Sequence, residues 1–343
     1  MKRKKKIALL TAGGDCPGLN AALRGVGKAA ILEYGMEVIG IRDGFSGLIN
    51  MDFLQLNEEK LSGILTKGGT ILGTSREKPF KESKYHDFIK SKPEIIQENY
   101  DKLGLDCIVC LGGNGTQKTA DKLSALGLNV IGLPKTIDND VWATDLSFGF
   151  DSALNIATEA IDRIHTTANS HRRIMVVEIM GHNAGWLTLY SGIAGGGDLI
   201  LIPEIPYNEK TIISYLEDRA EKGKPYSIVV VAEGIKKPEN KKAATYIAEL
   251  INKTSDLEAR ETILGYIQRG GSPSPADRVL ATRLGAAAAE SISDGHFGIM
   301  VAIQNNNTVR VPLKDVAGKL KTVPSDMLLL ERARQIGTSF GDC

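Results

Sequence analysis

Short apolar runs recur near residues 7–11, 37–42, 106–111, 129–133, 174–179, 198–203, 227–232, 262–267 and 298–303, with helical patterns between them. That alternation is the strongest constraint on what the chain can fold into. Strands that alternate with helices imply right-handed crossovers and a largely parallel sheet. One segment breaks the rule. Ile299-Met300-Val301-Ala302-Ile303, then Gln304-Asn305-Asn306-Asn307, then Thr308-Val309-Arg310-Val311 predicts an antiparallel hairpin at a sheet edge. With 343 residues the chain is long enough for two domains with full cores. No low-complexity linker joins them, so the domains must be separated by crossings of the chain.

Composition bounds the class. A content of 42% hydrophobic and 24% charged residues is that of a soluble globular enzyme. The net charge of +1 implies no nucleic acid or other acidic polymer as partner. The basic start Met1-Lys2-Arg3-Lys4-Lys5-Lys6 invites comparison with a signal peptide, but the apolar run behind it is shorter than a signal core or a membrane span. It reads as a solvated lead into the first strand. Cysteines at 16, 107, 110 and 343 are too few for a disulfide framework. Cys107 and Cys110 have the spacing of a redox or metal motif, yet residues three apart on a strand face opposite ways. They are read as reduced core residues of a cytoplasmic protein. The five histidines show no ligand spacing, so no zinc site is expected.

Chemistry concentrates where predicted strands end. Pro134-Lys135-Thr136-Ile137-Asp138-Asn139-Asp140 follows the run Val130-Ile131-Gly132-Leu133, at the edge where ligands of open α/β sheets collect. One carboxylate there can take a proton from a hydroxyl while the other organises a cation, the division of labour in phosphoryl transfer. An Asx turn is the plain alternative. Two glycine-rich turns precede this loop. Ala12-Gly13-Gly14-Asp15-Cys16-Pro17-Gly18 leads into a helix from Leu19, and Gly112-Gly113-Asn114-Gly115-Thr116 into a helix from Gln117 to Leu126. Backbone N–H groups at such turns can hold phosphate oxygens.

These residues resemble the 6-phosphofructokinase family. The match rests, in order and spacing, on Gly13-Gly14-Asp15-x-Pro17-Gly18-x-Asn20-Ala21, Gly112 to Thr116, Pro134 to Asp140, Met180-Gly181 and Gly265-Tyr266-Ile267-Gln268-Arg269-Gly270-Gly271. It spans about Ile7 to Leu330. The resemblance implies two Rossmann-like three-layer α/β/α domains with the active site in the cleft between them. Residues 1–149 with 268–318 would form the larger, donor-binding domain, and 150–267 with 319–343 the smaller, sugar-phosphate domain. It also implies transfer from MgATP to the C1 hydroxyl of fructose 6-phosphate, in a homo-oligomer, dimer or tetramer, with shared active sites.

Roles carry over by position. Asp138 would be the general base, Thr136 a hydroxyl donor to the sugar or the transferring group, and Asp140 part of the magnesium and hydroxyl network. Arg76, in Gly73-Thr74-Ser75-Arg76, resembles the arginine that stabilises charge between donor and acceptor. Gly13, Gly14, Gly113, Asn114, Gly115 and Thr116 would hold the nucleotide. Sugar contacts would come from Met180, Gly181, His182, Glu233, Tyr266 and Arg269. Arg173 and Arg260 would reach the 6-phosphate from a neighbouring subunit, through guanidinium forks that lysine cannot match. Each arginine has a plainer reading as a solvated surface residue.

Departures from the family pattern matter. Asn114 stands where most relatives carry a carboxylate near the donor's magnesium; an amide oxygen ligates the ion without adding charge. His182 replaces a usual arginine and Tyr266 a frequent histidine. Gly115 leaves room for a nucleotide's α-phosphate, as in ATP enzymes, whereas Lys135 matches pyrophosphate-using relatives. Space is the stricter requirement and favours ATP. Arg24, Lys28, Lys222, Lys224 and Asp198 match effector-site positions, but Glu58 and His165 replace arginines there, and Lys222-Gly223-Lys224 reads equally as a solvated helix end. A lipid or NAD kinase leaves residues 265–271 unexplained, and a catalytically silent sensor leaves Asp138, Asp140, Arg76 and Arg269 unexplained.

Overall fold

The computed structural model describes residues 3–81 and 90–342; Met1 and Lys2 of the basic start, and Cys343, lie outside them. The chain divides into two compact units. The first comprises Met1–Thr136, Asp140–Ser152 and Arg269–Leu320, the second Ile137–Asn139, Ala153–Gln268 and Lys321–Cys343. The expected crossings near 149, 268 and 318 do not include the excursion of Ile137–Asn139, which groups with the second unit.

The first unit opens with β1 (Lys6–Thr11), α1 (Leu19–Leu32), β2 (Glu37–Ile41), α2 (Phe45–Asn50) and β3 (Phe53–Leu56). It continues through α3 (Lys92–Leu103), β4 (Cys107–Gly112), α4 (Asn114–Ala125) and β5 (Val130–Pro134). After α5 (Phe150–His171), the second unit holds β6 (Ile174–Ile179), α6 (Trp186–Ala194), β7 (Leu199–Leu201), α7 (Glu209–Glu221), β8 (Ser227–Ala232), α8 (Ala243–Thr254) and β9 (Ala259–Ile263). A 3-10 turn, Gly265–Arg269, leads back to α9 (Pro275–Ser293), β10 (Ile299–Gln304), β11 (Asn307–Pro312) and α10 (Leu313–Val316), and α11 (Leu328–Gln335) ends the second unit.

The seven-stranded sheet has the order β11-β10-β5-β4-β1-β2-β3 and is parallel except for its two edge strands. Strand β11 is the antiparallel arm of the predicted hairpin, and its turn residues Asn305 and Asn306 adopt φ of 50° and 60°. Two residues with positive φ give the turn whose twist suits a two-residue hairpin loop. Alternate strand residues Ala8, Leu10, Ile39, Ile41, Ile108 and Cys110 share one core with Ile96 and Leu103 of α3, Ala120 and Leu123 of α4 and Leu313 of α10. Cys107 is also buried but lies outside that core, so the two cysteines do face opposite ways, and both are free thiols. Helices α1 and α9 pack on each other, and α9 lies against β5 and β10. Of the basic start, Lys5 donates through Nζ to the carbonyls of Ile292 and Ser293 at the end of α9, at 2.7 and 3.1 Å.

In the second unit a four-stranded parallel sheet runs β7-β8-β6-β9. Strand β9 ends at Ile263, and the apolar residues that predicted a strand to 267 continue as the 3-10 turn, where Tyr266 is 74% and Ile267 60% exposed. Among the described residues no helix is long and apolar enough to cross a membrane.

Candidate active site

The order β2-β1-β4-β5 makes the chain reverse direction between β1 and β4, the switch point at which open sheets bind ligands. The loop after β1 and the start of α4 meet there: Ala12 N–H donates to the Leu111 carbonyl of β4 at 3.0 Å, and Thr116 Oγ1, in the first turn of α4, to the Ala12 carbonyl at 3.5 Å. Helix α4 begins at Asn114, three residues before the predicted start, so Asn114, Gly115 and Thr116 form its first turn. No side chain caps this end and no acidic residue sits in its first turn. The N–H groups of Asn114 and Gly115 and the partial positive charge of this end are therefore available to an anion, while Thr116 N–H donates to the Gly113 carbonyl at 2.9 Å.

Two cations converge on the first glycine loop. Lys135, only 3% exposed, donates through Nζ to the Gly14 carbonyl. Arg269 donates from Nη1 to the Asp15 carbonyl at 3.1 Å. Its guanidinium lies so close over Gly14 that a Cβ there would come within 2.9 Å of Nη1 and force the guanidinium to shift. Burial pushes the Cys16 thiol beneath this loop up to about 12, while Lys135, and after it Arg269, pull the other way. The segment carrying Arg76 is tied to the same loop, since Gly13 N–H donates to Ser75 O at 3.0 Å and Thr74 Oγ1 to Gly13 O at 2.7 Å. Arg76 itself is exposed and has no hydrogen-bond or ion-pair partner among the described residues.

The loop after β5 is almost wholly buried. Thr136, Asn139 and Asp140 are 7%, 4% and 7% exposed, and Asp138 is half-buried. Thr136 is held on both backbone sides, by Phe148 O at 3.3 Å and by Ser147 Oγ at 3.0 Å. Asn114 Nδ2 donates to the Asp140 carboxylate at 2.8 Å and to its carbonyl at 3.2 Å. The Asn114 Oδ1 is buried and accepts no hydrogen bond. An orphaned amide oxygen beside a buried carboxylate suits a hard divalent cation, which binds oxygens and leaves its other positions to water and phosphate. No group of three or more His, Cys, Asp or Glu residues that could hold a metal occurs among the described residues.

In the second unit, Met180, Gly181 and His182 leave the carboxyl end of β6. Glu233 Oε1, just past β8, accepts from the N–H groups of Gly181 and His182 at 3.2 and 2.8 Å. Met180 N–H reaches Gln268 Oε1 at 3.3 Å, so adjacent residues Gln268 and Arg269 serve different units. His182 is exposed with φ of 51°, and Tyr266 is exposed.

Arg173 and Arg260 do not join these residues. Both pair with one carboxylate, Glu258, at 2.8 and 2.5 Å. They precede or begin β6 and β9, paired in register as Ile174 with Ala259 and Met175 with Arg260. The other sugar-contact candidates of this unit lie at or beyond the far end of those strands. The six residues of β6 put roughly 20 Å between the two edges.

The phosphofructokinase family model matches residues 6–292. The chain belongs to the phosphofructokinase family. It is 58% identical to ATP-dependent 6-phosphofructokinase 3 of Bacteroides thetaiotaomicron, over 98% of this chain and 100% of that protein. It is 56% identical to ATP-dependent 6-phosphofructokinase of Spirochaeta thermophila, over 100% of both. The crystal structure of Pichia pastoris phosphofructokinase in the T-state superposes with a TM-score of 0.84 at 35% identity, covering 92% of this chain, which spans 36% of that one. A pyrophosphate-dependent phosphofructokinase from Nitrosospira multiformis also reaches 0.84, at 23% identity over 94% of this chain and 86% of that one, a likeness of fold alone.

Of the residues that the family resemblance aligns with an effector site, Asp198, His165 and Lys222 have partners within the chain. Asp198 pairs with Arg219 at 2.6 Å and accepts the Ile228 N–H at 2.9 Å, and burial pushes its carboxyl up. His165 bonds Gly195 O at 2.6 Å and Tyr226 OH at 3.1 Å. Lys222, at the end of α7, pairs with Asp218 one turn back, as a solvated helix end would. Sequence reasoning gave no role to Gln268, although it stands within the Gly265–Gly271 motif, nor to Glu258 and Glu204, whose one signal is position at the ends of apolar runs.

Proposed function

We propose that this chain is an ATP-dependent 6-phosphofructokinase, transferring the γ-phosphoryl group of ATP to the C1 hydroxyl of fructose 6-phosphate. The observation that carries the reading is the set of groups converging on the first glycine loop and the bare N-terminus of α4. Lys135, Arg269 and backbone N–H groups meet there, and a Cβ built on Gly115 would find nothing within 4 Å. Relatives 58% and 56% identical over their full lengths are ATP-dependent 6-phosphofructokinases.

On this reading the donor phosphates lie against Gly13, Gly14, Gly113, Asn114, Gly115 and Thr116. Magnesium, when bound with the nucleotide, would neutralise phosphate charge, with Asn114 Oδ1 and Asp140 as its protein oxygens. Asp138 accepts the proton of the C1 hydroxyl as its oxygen bonds to the γ-phosphorus. The bond from that phosphorus to the bridging oxygen breaks, and ADP leaves with the electron pair. Thr136, fixed by Phe148 and Ser147, supplies a hydroxyl to the reacting groups. Arg76, without a partner among the described residues, meets the negative charge that builds between donor and acceptor.

Met180, Gly181, His182, Glu233, Tyr266 and Arg269 contact the sugar phosphate. Arg173 and Arg260 act on the site of a second copy, because their own sheet places them at its opposite edge. The active form is thus a homo-oligomer working in the cytoplasm. One feature favours a second reading: Lys135 already stands where pyrophosphate-using relatives have it. A coupled assay of fructose 6-phosphate with ATP and then with pyrophosphate decides between donors, and turnover with neither would overturn the proposal.

A further inference from the structure

The loop that follows β6 is gripped from three sides by polar side chains set beyond the ends of the other strands. Gln268, past β9, takes the Met180 N–H at 3.3 Å, and Glu233, past β8, takes those of Gly181 and His182. Glu204, past β7, takes the third anchor: its Oε1 and Oε2 accept the Gly185 N–H at 2.9 and 3.1 Å. A tight turn, Ala184 N–H to Gly181 O at 3.0 Å, links this anchor to His182. Glu204 Oε1 also accepts the Val323 N–H at 2.9 Å, and Trp186 Nε1 donates to Lys321 O at 2.9 Å. One carboxylate therefore fixes the loop, the start of α6 and the segment 321–323 to one another. The fit is close, for a Cβ on Gly185 would lie 2.6 Å from Glu204 Oε2 and 2.5 Å from Ile202 Cβ.

We propose that Glu204 is a positioning residue for sugar-phosphate binding, holding Met180–His182 in the conformation that receives the substrate. This rests on the reading of Met180, Gly181 and His182 as sugar contacts. Glu204 touches no substrate. Its carboxylate lies at the positive end of α6, where no acidic residue occupies the first turn, and it satisfies two backbone donors at once. Without it the loop keeps its Glu233 and Gln268 anchors but loses the one that fixes its far end.

The experiment compares wild type with Glu204→Gln and Glu204→Ala. Loss of a charge-assisted anchor should raise the fructose 6-phosphate KM about tenfold in Glu204→Ala, with kcat and the ATP KM changed less than about twofold. Glu204→Gln keeps an oxygen that can accept, and should fall between. Calorimetric binding of fructose 6-phosphate without donor should weaken by the same factor. A purely structural role would lower Tm and active fraction and leave the sugar KM alone. If Glu204→Ala does not fold, Glu204→Gln decides. An unchanged sugar KM in a folded variant, or an equal rise in the ATP KM, overturns the inference. A wild-type protein that fails to bind fructose 6-phosphate overturns the functional reading beneath it instead.

Discussion

Replacing Gly115 by Asp separates donor recognition from stability, because the two respond in opposite directions. Gly115 is the second residue of α4, with Gly113 as the N-cap. A Cβ there meets nothing within 4 Å, and the glycine does not depend on a left-handed conformation. Removing a helical glycine and placing a carboxylate in the first turn should each stabilise, together by about 1 kcal/mol. That corresponds to a Tm higher by roughly 2 °C. The same carboxylate faces the end of the helix to which we assign the nucleotide phosphates. A pair of like charges about 4 Å apart, at an effective dielectric near 20, costs about 4 kcal/mol. The efficiency with ATP should then fall about a thousandfold in an enzyme that melts later than wild type.

Pyrophosphate lacks the portion of the nucleotide that would overlap the new side chain, so its use should fall less or emerge. Lys135→Gly in the same background should remove it. Gly115→Ala is the control: it gains the helix stability, adds only a methyl group and should keep most ATP activity. The readout is the ratio of kcat/KM for the two donors, with Tm measured in parallel. A wild-type ratio favouring pyrophosphate refutes the donor assignment. An unchanged ratio in Gly115→Asp refutes the steric and electrostatic reasoning behind it.

Asp138→Asn should lower kcat by about 10²- to 10⁴-fold while leaving fructose 6-phosphate binding nearly intact; near-normal turnover removes Asp138 as the base. Arg173→Ala or Arg260→Ala should raise the sugar KM far more than it lowers kcat, and at sugar concentrations too low for Arg173→Ala to turn over, mixing it with Asp138→Asn subunits should restore activity. Verified mixed oligomers with no recovery would place both residues in one subunit's site. Asp277, 1% exposed, accepts from the Ser152 N–H and Oγ at 2.8 and 2.6 Å, and burial raises its carboxyl pKa. A raised folded pKa contributes stability that is full below the usual carboxylate value and lost as pH rises through the folded one. The Tm of wild type minus that of Asp277→Asn should therefore grow as pH falls from 7 towards 4, and a flat difference would refute the burial argument.

The parallel sheets, the hairpin and the motif loops were legible because each writes a local signature: apolar runs between helical spacings, a polar Gln-Asn-Asn-Asn break between two apolar runs, glycines at strand ends. The start of α4 was not. Gly-Gly-Asn-Gly reads as loop because glycine is a poor helix former by about 1 kcal/mol per residue, yet the helix begins at Asn114, with Gln117 Nε2 bonding the carbonyls of Gly112 and Leu133 at 2.8 and 2.9 Å. Tertiary contacts outweigh propensity there. The end of β9 was misread for another reason: Ile263, Tyr266 and Ile267 look like a buried strand but are exposed, and apolarity alone does not say which surface it serves. Strand β3, Phe53–Leu56, did not announce itself because it lies at the sheet edge, half exposed and interrupted by Gln55, and makes no continuous apolar run. Glu204 was invisible because a carboxylate near a strand end carries no motif, and the motif that holds Gln268 does not say which N–H group its amide meets.

Sheet polarity explains why the residues proposed to contact the sugar phosphate fall into two groups. Beyond the carboxyl edge of β6, Met180, Gly181, His182 and Gly185 are held by Gln268, Glu233 and Glu204, whereas Arg173 and Arg260 are gathered at the amino edge by Glu258. No side chain spans a strand of six residues. Hydrogen bonding to Arg173 is the main cause that lowers the Glu258 pKa, so the carboxylate stays charged and keeps two guanidiniums side by side. One negative charge between two positive ones leaves a net positive pair with donors to spare, on a part of the chain that is 32% and 54% exposed. A phosphate dianion is the partner such a pair suits. This chain's own Met180–His182 loop lies at the other edge, so on the proposed reading the dianion that meets the pair is one held by another copy, and each site takes its reacting groups from one subunit and its second phosphate clamp from the next.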